Sequence, residues 1–335
     1  MRAFTFSCAL GLAVLAVLPG AAAKNFSNPL CGLNCDTPDP WIQMVGNASH
    51  HYYYWMYTHT PLVARRSTTL AGLREAPATV VWDGGGGDVG IGFWAPELHY
   101  WPAGAWGPGR WYVYHVSNGS RVGVLEGARA PSAAAVPTNG ELGPFTSRGF
   151  VADGIDPNVL HHPSGRKFLA WKGERMFLAE LASPWQLVAG AAPLELPLRK
   201  CEKPGVEQWY EAPATWVQAG RVWLMYSRCN TGPDYELMLA YADVASDPLR
   251  ADSWRHFSDR PVIVGNGGDD TGPGHSGWFA SPDGAQTWLV YHGTAIGERG
   301  RSSRAMRLPF NSSGWPVFSS TTPAVGTPLP GPAGE

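Results

Sequence analysis

Charge is scarce in this chain. Lys, Arg, Asp and Glu make up 16% of its 335 residues, against roughly a quarter in an average domain, and 25 basic against 27 acidic side chains leave a net charge of -2. The basic footprint that nucleic-acid binding requires is therefore absent. Long apolar runs are also missing. The longest, Cys8 to Leu18, holds about eleven residues, too few to cross a bilayer as a helix. There is no Gly-x-Ser-x-Gly elbow and no His-Glu-x-x-His helix, so serine-hydrolase and zinc-protease chemistry lack their signatures. What the chain has in quantity is 41 Gly and 30 Pro, spread without a collagen period, together with 16 Trp, 12 Tyr and 12 Phe. Frequent turns and few long helices favour an all-β fold. The aromatic area exceeds what a core of this size needs, and flat rings suit ligands with flat apolar faces, as sugars have.

Arg2, the apolar run to Leu18, Pro19-Gly20 and Ala21-Ala22-Ala23 follow the pattern of a secretory leader. Residues 1–23 are expected to be removed, leaving 24–335 as one soluble, extracellular domain. Four cysteines then remain, and pairing of Cys31 with Cys35 and of Cys201 with Cys229 is expected. Asn25, Asn47, Asn118 and Asn311 stand in N-glycosylation sequons.

One aromatic strand is written five times: Tyr-Trp-Met-Tyr57, Trp-Tyr-Val-Tyr114, Phe-Leu-Ala-Trp171, Trp-Leu-Met-Tyr226 and Trp-Leu-Val-Tyr291, at spacings of 57, 57, 55 and 65. A proline precedes each copy: Pro40, Pro96, Pro157, Pro213 and Pro273. A unit of nearly 60 residues with several short β runs matches one four-stranded propeller blade, and five such units fill the chain. The fold predicted is a five-bladed β-propeller with four-stranded blades around a central channel. A two-sheet sandwich would explain the β content but not the fivefold spacing. The repeated aromatics are expected to pack between blades.

Beside the five prolines stand Asp39, Glu97, Asp156, Glu211 and His275. First strands line a propeller's axis, so these groups should converge at one mouth of the channel. Crowded carboxyl groups resist ionisation together. Glycoside hydrolysis needs that situation: one carboxylic acid protonates the leaving oxygen while a carboxylate activates water.

In these residues the chain resembles glycoside hydrolase family 43, five-bladed propellers that cleave arabinofuranosides and xylosides. The resemblance runs through Asp39-Pro-Trp-Ile, Trp94-Ala-Pro-Glu-Leu, Gly154-Ile-Asp156, Tyr210-Glu211-Ala-Pro-Ala, Gly272-Pro-Gly-His275 and Trp288-Leu-Val-Tyr-His292. It implies that Asp39 is the general base, Asp156 the carboxylate that tunes the acid and orients the sugar, and Glu211 the general acid. It implies inversion, with base and acid roughly 6.5 to 9.5 Å apart. Asp36 lies three residues before Asp39, but the Asp-Pro-Trp context belongs to Asp39. Trp94 resembles an aromatic wall of the sugar subsite, and Arg304 an arginine reaching back to the sugar, with Arg301 and Arg307 close by. His275 matches a histidine near a cation, commonly calcium. Ser276-Gly277 stands where the family often has Asn after that histidine. No organic cofactor is implied.

The phrasing of the Trp94, Glu211 and His275 motifs looks most like the exo-acting α-L-arabinofuranosidase branch. The expected activity is release of terminal arabinofuranose from plant cell-wall arabinan or arabinoxylan by a secreted monomer, without nucleic-acid or membrane partners. Endo-arabinanase, β-xylosidase and a non-catalytic sugar-binding propeller are the alternatives. Asp83-Gly-Gly-Gly-Gly-Asp88 lacks phosphate-loop and EF-hand spacing and reads as a loop, and His50-His51 and His161-His162 read as surface turns rather than metal ligands.

Overall fold

The computed structural model describes residues 24–84, 92–135, 141–297 and 299–335. The expected leader and most of the glycine-rich loop after Asp83 lie outside the described residues. Apart from two short 3-10 turns, Ala71–Leu73 and Ala251–Ser253, the regular structure described is all strand.

Five sheets, antiparallel but for one short parallel pair at the edge of the fourth, follow one another in chain order. Blade 1 is Trp41–Asn47, His50–Met56, Leu62–Ser67 and Thr79–Trp82; blade 2 is Phe93–Trp101, Arg110–Ser117, Arg121–Arg129 and Thr146–Asp153. Blade 3 is Ile155–His161, Lys167–Lys172 and Met176–Ser183, with its outer edge split between Gln186–Leu187 and Leu194–Glu195. Blade 4 is Tyr210–Gln218, Arg221–Arg228 and Glu236–Asp243, extended by Trp254–His256, Ile263–Val264 and Ser320–Thr321. Blade 5 holds three strands, Asp270–Ala280, Thr287–Ala295 and Ser302–Leu308. The first strand of each blade touches those of its two neighbours, and that of blade 5 touches that of blade 1, which closes the ring. The expected propeller is present, but the uniform four-stranded blade is not.

Five hydrophobic clusters fill the five gaps between blades, one to a gap. This is where the aromatic excess goes. Tyr57, Tyr114, Trp171, Tyr226 and Tyr291 are all buried, as are Trp55, Trp111 and Trp223. Wedge-shaped gaps need wide side chains, and each fully buried ring stabilises the fold by about 2–3 kcal/mol. Of the two histidine pairs only His50 is exposed at a turn; the other three histidines are not surface residues of that kind. His51 is buried between the carbonyls of Asn47 and Thr68, at 3.0 and 2.8 Å, and His162 between Ser164 and the Val244 carbonyl, while His161 stacks on His99. Polar ring nitrogens find partners there that water would otherwise supply.

Blade 5 lacks a fourth strand because the N-terminal segment takes that place. Leu30 donates to the Ser303 carbonyl and Thr37 to that of Arg301. Buried Asn28 imitates a strand residue, its amide exchanging two 2.9 Å bonds with the Ala305 backbone. Phe26–Ser27 pairs with Pro328–Leu329, so both ends of the described chain seal the seam between blades 5 and 1. The sulfurs of Cys31 and Cys35 are joined beside it, as are those of Cys201 and Cys229 in blade 4. Asn28→Ala should strand the Ala305 N–H and C=O and lower stability by about 2 kcal/mol, read as an earlier midpoint in urea. An unchanged midpoint would mean that apolar contacts alone hold the seam.

Candidate active site

Each first strand enters the channel through the same distortion. Asp39, Ala95, Asp156, Ala212 and His275 have φ of 53, 44, 55, 55 and 45°, a left-handed conformation that non-glycine residues rarely adopt. In blades 2 to 5 the strand register shifts at this point, so each is a bulge that re-aims a side chain. Proline follows in four of the five. It offers no N–H to a ladder that is interrupted there anyway. In blade 5 the left-handed residue is His275, followed by Ser276, so Pro273 is not the counterpart of the other four prolines.

The amide of a left-handed residue points away from its own sheet, and a neighbouring blade satisfies it. Ala95 N–H donates to Thr58 Oγ1 at 2.8 Å, Ala212 N–H to Asp156 Oδ2 at 3.0 Å, and His275 N–H to Ser227 Oγ at 2.8 Å. Asp39 N–H donates to His292 Nδ1 at 3.1 Å. Thr58, Ser227 and His292 each follow the repeated aromatic of their blade, as do His115 and Lys172. Sequence reasoning missed this second ring of polar residues as site residues, although the aromatic repeat pointed to it one position on.

Three carboxyl groups and an imidazole meet at the mouth. His275 Nδ1 lies 3.2 Å from Asp39 Oδ1 and 4.0 Å from Asp156 Oδ1. Asp39 also accepts 2.6 Å from Thr58 Oγ1 and 3.0 Å from Arg301 Nη1. Glu211 accepts 2.7 Å from the Trp209 indole and 2.9 Å from the Tyr235 hydroxyl. Glu97 stands apart from this ring. It lies two residues beyond its bulge and is buried against Asn158 Nδ2, at 3.2 and 2.9 Å, and His99 Nε2, at 2.8 Å. Asn158 in turn accepts from the Thr215 amide at 2.8 Å. This chain of bonds ties blades 2, 3 and 4 together below the mouth, and burial pushes the Glu97 carboxyl well up.

The three carboxyls differ in charge. Burial pushes Asp39 up, but His275, His292 and Arg301 outweigh it and hold the group well below the ordinary carboxylate range. Burial lowers both imidazoles, His292 to about 4, so at neutral pH Arg301 is the standing positive charge. Glu211 is pushed up by burial and further by the Asp39 charge, against its two hydrogen bonds. Asp156 is raised by burial, then by Glu211 and Asp39. The arrangement sets one carboxylate held low beside two carboxyls pushed up, the kind of separation that acid–base chemistry between carboxyl groups uses.

Trp94 rims the mouth with 43% of its surface exposed. Its ring lies against Gly119, where a Cβ would stand 2.7 Å from Cη2. Arg304 does not reach the mouth. It is fully buried in a 2.9 Å ion pair with Asp270 and bonds the Gly293 and Ser302 carbonyls. The arginine at the site is Arg301, three residues earlier, half-buried and in contact with Asp39. Three residues along a strand reverse the face presented, so the buried and accessible positions are exchanged. Asp36 is exposed and accepts the Arg301 amide at 3.2 Å, which steadies that loop. A cavity of about 600 Å³ lies between blades 1 and 2 beside Tyr54, Leu98 and Phe145, away from the carboxyls.

The groups around His275 do not fit the calcium ion that the resemblance implies. Calcium takes roughly six to eight oxygens, whereas the carboxylates here are engaged by Thr58, Arg301 and Ala212. His292 Nδ1 is taken up by Asp39, 3.1 Å from its amide and 3.3 Å from its carboxylate, and so is turned away from any ion. No three His, Cys, Asp or Glu side chains among the described residues are placed to hold a metal.

An extracellular exo-α-(1→5)-L-arabinofuranosidase of Streptomyces avermitilis is 29% identical over 92% of this chain and 66% of its own length. α-L-Arabinofuranosidase 43 of Humicola insolens is 29% identical over 98% of this chain and 70% of its own. The chain thus spans about two thirds of the length of these relatives. An α-L-arabinofuranosidase from Lactobacillus brevis shares the fold, with a TM-score of 0.73 at 23% identity over 90% of this chain and 98% of that one. The model of glycosyl hydrolases family 43 matches residues 26–316, which takes in the inner strands of all five blades and every carboxyl group at the mouth, and this chain belongs to that family.

Proposed function

We propose that this protein is a secreted, inverting glycosidase that releases terminal α-L-arabinofuranose from plant cell-wall arabinan or arabinoxylan. The observation that carries the reading is the asymmetry of partners at the mouth: Asp39 sits against Arg301 and is held low, whereas Glu211 is buried with only the neutral donors Trp209 and Tyr235 and is pushed up. The exo-arabinofuranosidase names of the Streptomyces relatives support the substrate, and their description as extracellular supports secretion.

In this mechanism water attacks the anomeric carbon as Asp39 takes its proton. Glu211 gives a proton to the departing oxygen, and the sugar leaves with the opposite anomeric configuration. Asp156, protonated and bound to the Ala212 amide, has an O–H free to meet a sugar hydroxyl. Trp94 offers its exposed face to the furanose ring.

Asp39→Asn and Glu211→Gln should each lower kcat/KM on arabino-oligosaccharides by about 10²–10⁴-fold with circular dichroism unchanged; near-normal turnover in either would remove it from its role. Proton NMR of α-1,5-arabinotriose should show arabinose leaving one unit at a time, first as the β-anomer. The α-anomer would contradict inversion, and larger first products would point to endo action. Gly119→Ala, strained at φ +66 and pressing on the Trp94 ring, should raise KM roughly tenfold with a smaller effect on kcat. An unchanged KM would place the sugar elsewhere.

A further inference from the structure

Two donors grip Glu211, and they come from different loops. Trp209 ends the connection from blade 3 to blade 4, and Tyr235 closes the hairpin between the second and third strands of blade 4. These loops are tied together by the Cys201–Cys229 bridge, by a 3.0 Å bond from the Cys229 amide to the Trp209 carbonyl, and by Glu236, which pairs with Lys203 at 3.0 Å and Arg228 at 2.5 Å. The Trp209 ring also faces the Lys172 ammonium, 4.0 Å from its centroid. So many restraints on one half-buried loop residue are more than packing asks for.

An indole N–H only donates. Engaged with Trp209, Oε2 is best left as the carbonyl-type acceptor, and the carboxyl proton falls to Oε1. A protonated Oε1 still accepts the Tyr235 bond while its own hydrogen is free to point elsewhere. We infer that Trp209 is a positioning residue for proton transfer: it fixes the transferable proton on Oε1 of Glu211, and Lys172 and the Cys201–Cys229 bridge hold it in place to do so. This rests on the reading of Glu211 as the acid. In the step itself the glycosidic C–O bond breaks, its electron pair stays on the leaving oxygen, and that oxygen takes the proton from Oε1. The attacking water's proton goes to Asp39. The other charged or titratable groups facing Glu211 are Asp39, Asp156, Arg301, Lys172 and Tyr235.

Trp209→Phe keeps an aromatic ring to face Lys172 and removes the N–H along with the indole's second ring. Activity is measured on arabinotriose, whose leaving group needs a proton, and on 2,4-dinitrophenyl α-L-arabinofuranoside, whose leaving group does not. The expected result is at least about a tenfold loss of kcat/KM on the first and less than about threefold on the second. The alkaline limb of the pH profile should move up, since a donor to the ionised carboxylate is gone. Equal losses on both substrates, or an unmoved limb, would overturn the inference. Glu211→Gln run in parallel separates the two levels: if it shows no dependence on the leaving group, the acid assignment itself fails, whereas dependence there but not in Trp209→Phe sinks only the role of Trp209. Should Trp209→Phe not fold, Lys172→Met, which releases the ring, should show the same split to a smaller extent, and its absence would count equally against the inference.

Discussion

The left-handed residue at the head of each inner strand is the constraint on which the rest of this molecule depends. Such a backbone costs on the order of 1–3 kcal/mol wherever a Cβ is present, and four of the five occurrences found here are satisfied by a side chain from another blade or from the far side of the seam. The strain and the interblade bond arise together. Turning the amide out of its sheet creates a buried donor, and the neighbouring blade supplies the acceptor. Adjacent blades are thereby locked in rotation about the channel, and the turned side chains are aimed at one point.

That point gathers more acid than a buried volume tolerates in ionised form. The protein concentrates positive charge and donors on one member. Asp39 has Arg301, Thr58 and two imidazoles around it, whereas Glu211 has two neutral donors and Asp156 has one backbone amide. One ionised carboxylate then raises its neighbours through space. The division of labour between base and acid follows from who the partners are, not from the residue types, since all three are simple carboxylic acids.

Much of this was legible in the sequence, because a fold built by repetition writes its period into the chain. The aromatic copies ending at Tyr57, Tyr114, Trp171, Tyr226 and Tyr291 mark the middle strands, and the prolines of blades 1 to 4 mark the bulges. Blade 5 broke the pattern. There the bulge is followed by serine, and a proline three residues earlier offered a false match. The missing fourth strand of blade 5 could not be read at all, since the segment that replaces it lies at the opposite end of the chain and is irregular. The exchange of Arg304 for Arg301 has a related cause: which of two nearby arginines is buried depends on strand phase, and phase near a strand end is set by tertiary contacts. Trp209 was invisible because it lies in a loop with no period.

The seam at blade 5 has a consequence for how the site comes into being. Asp39 belongs to the first blade made, while His275, His292 and Arg301 belong to the last. A nascent chain with four blades finished would already hold Glu211 between Trp209 and Tyr235, yet Asp39 would lack Arg301 and both of its imidazole neighbours. Assembly of the carboxyl cluster and ring closure are therefore one event. On the proposed mechanism, no hydrolysis can precede that closure.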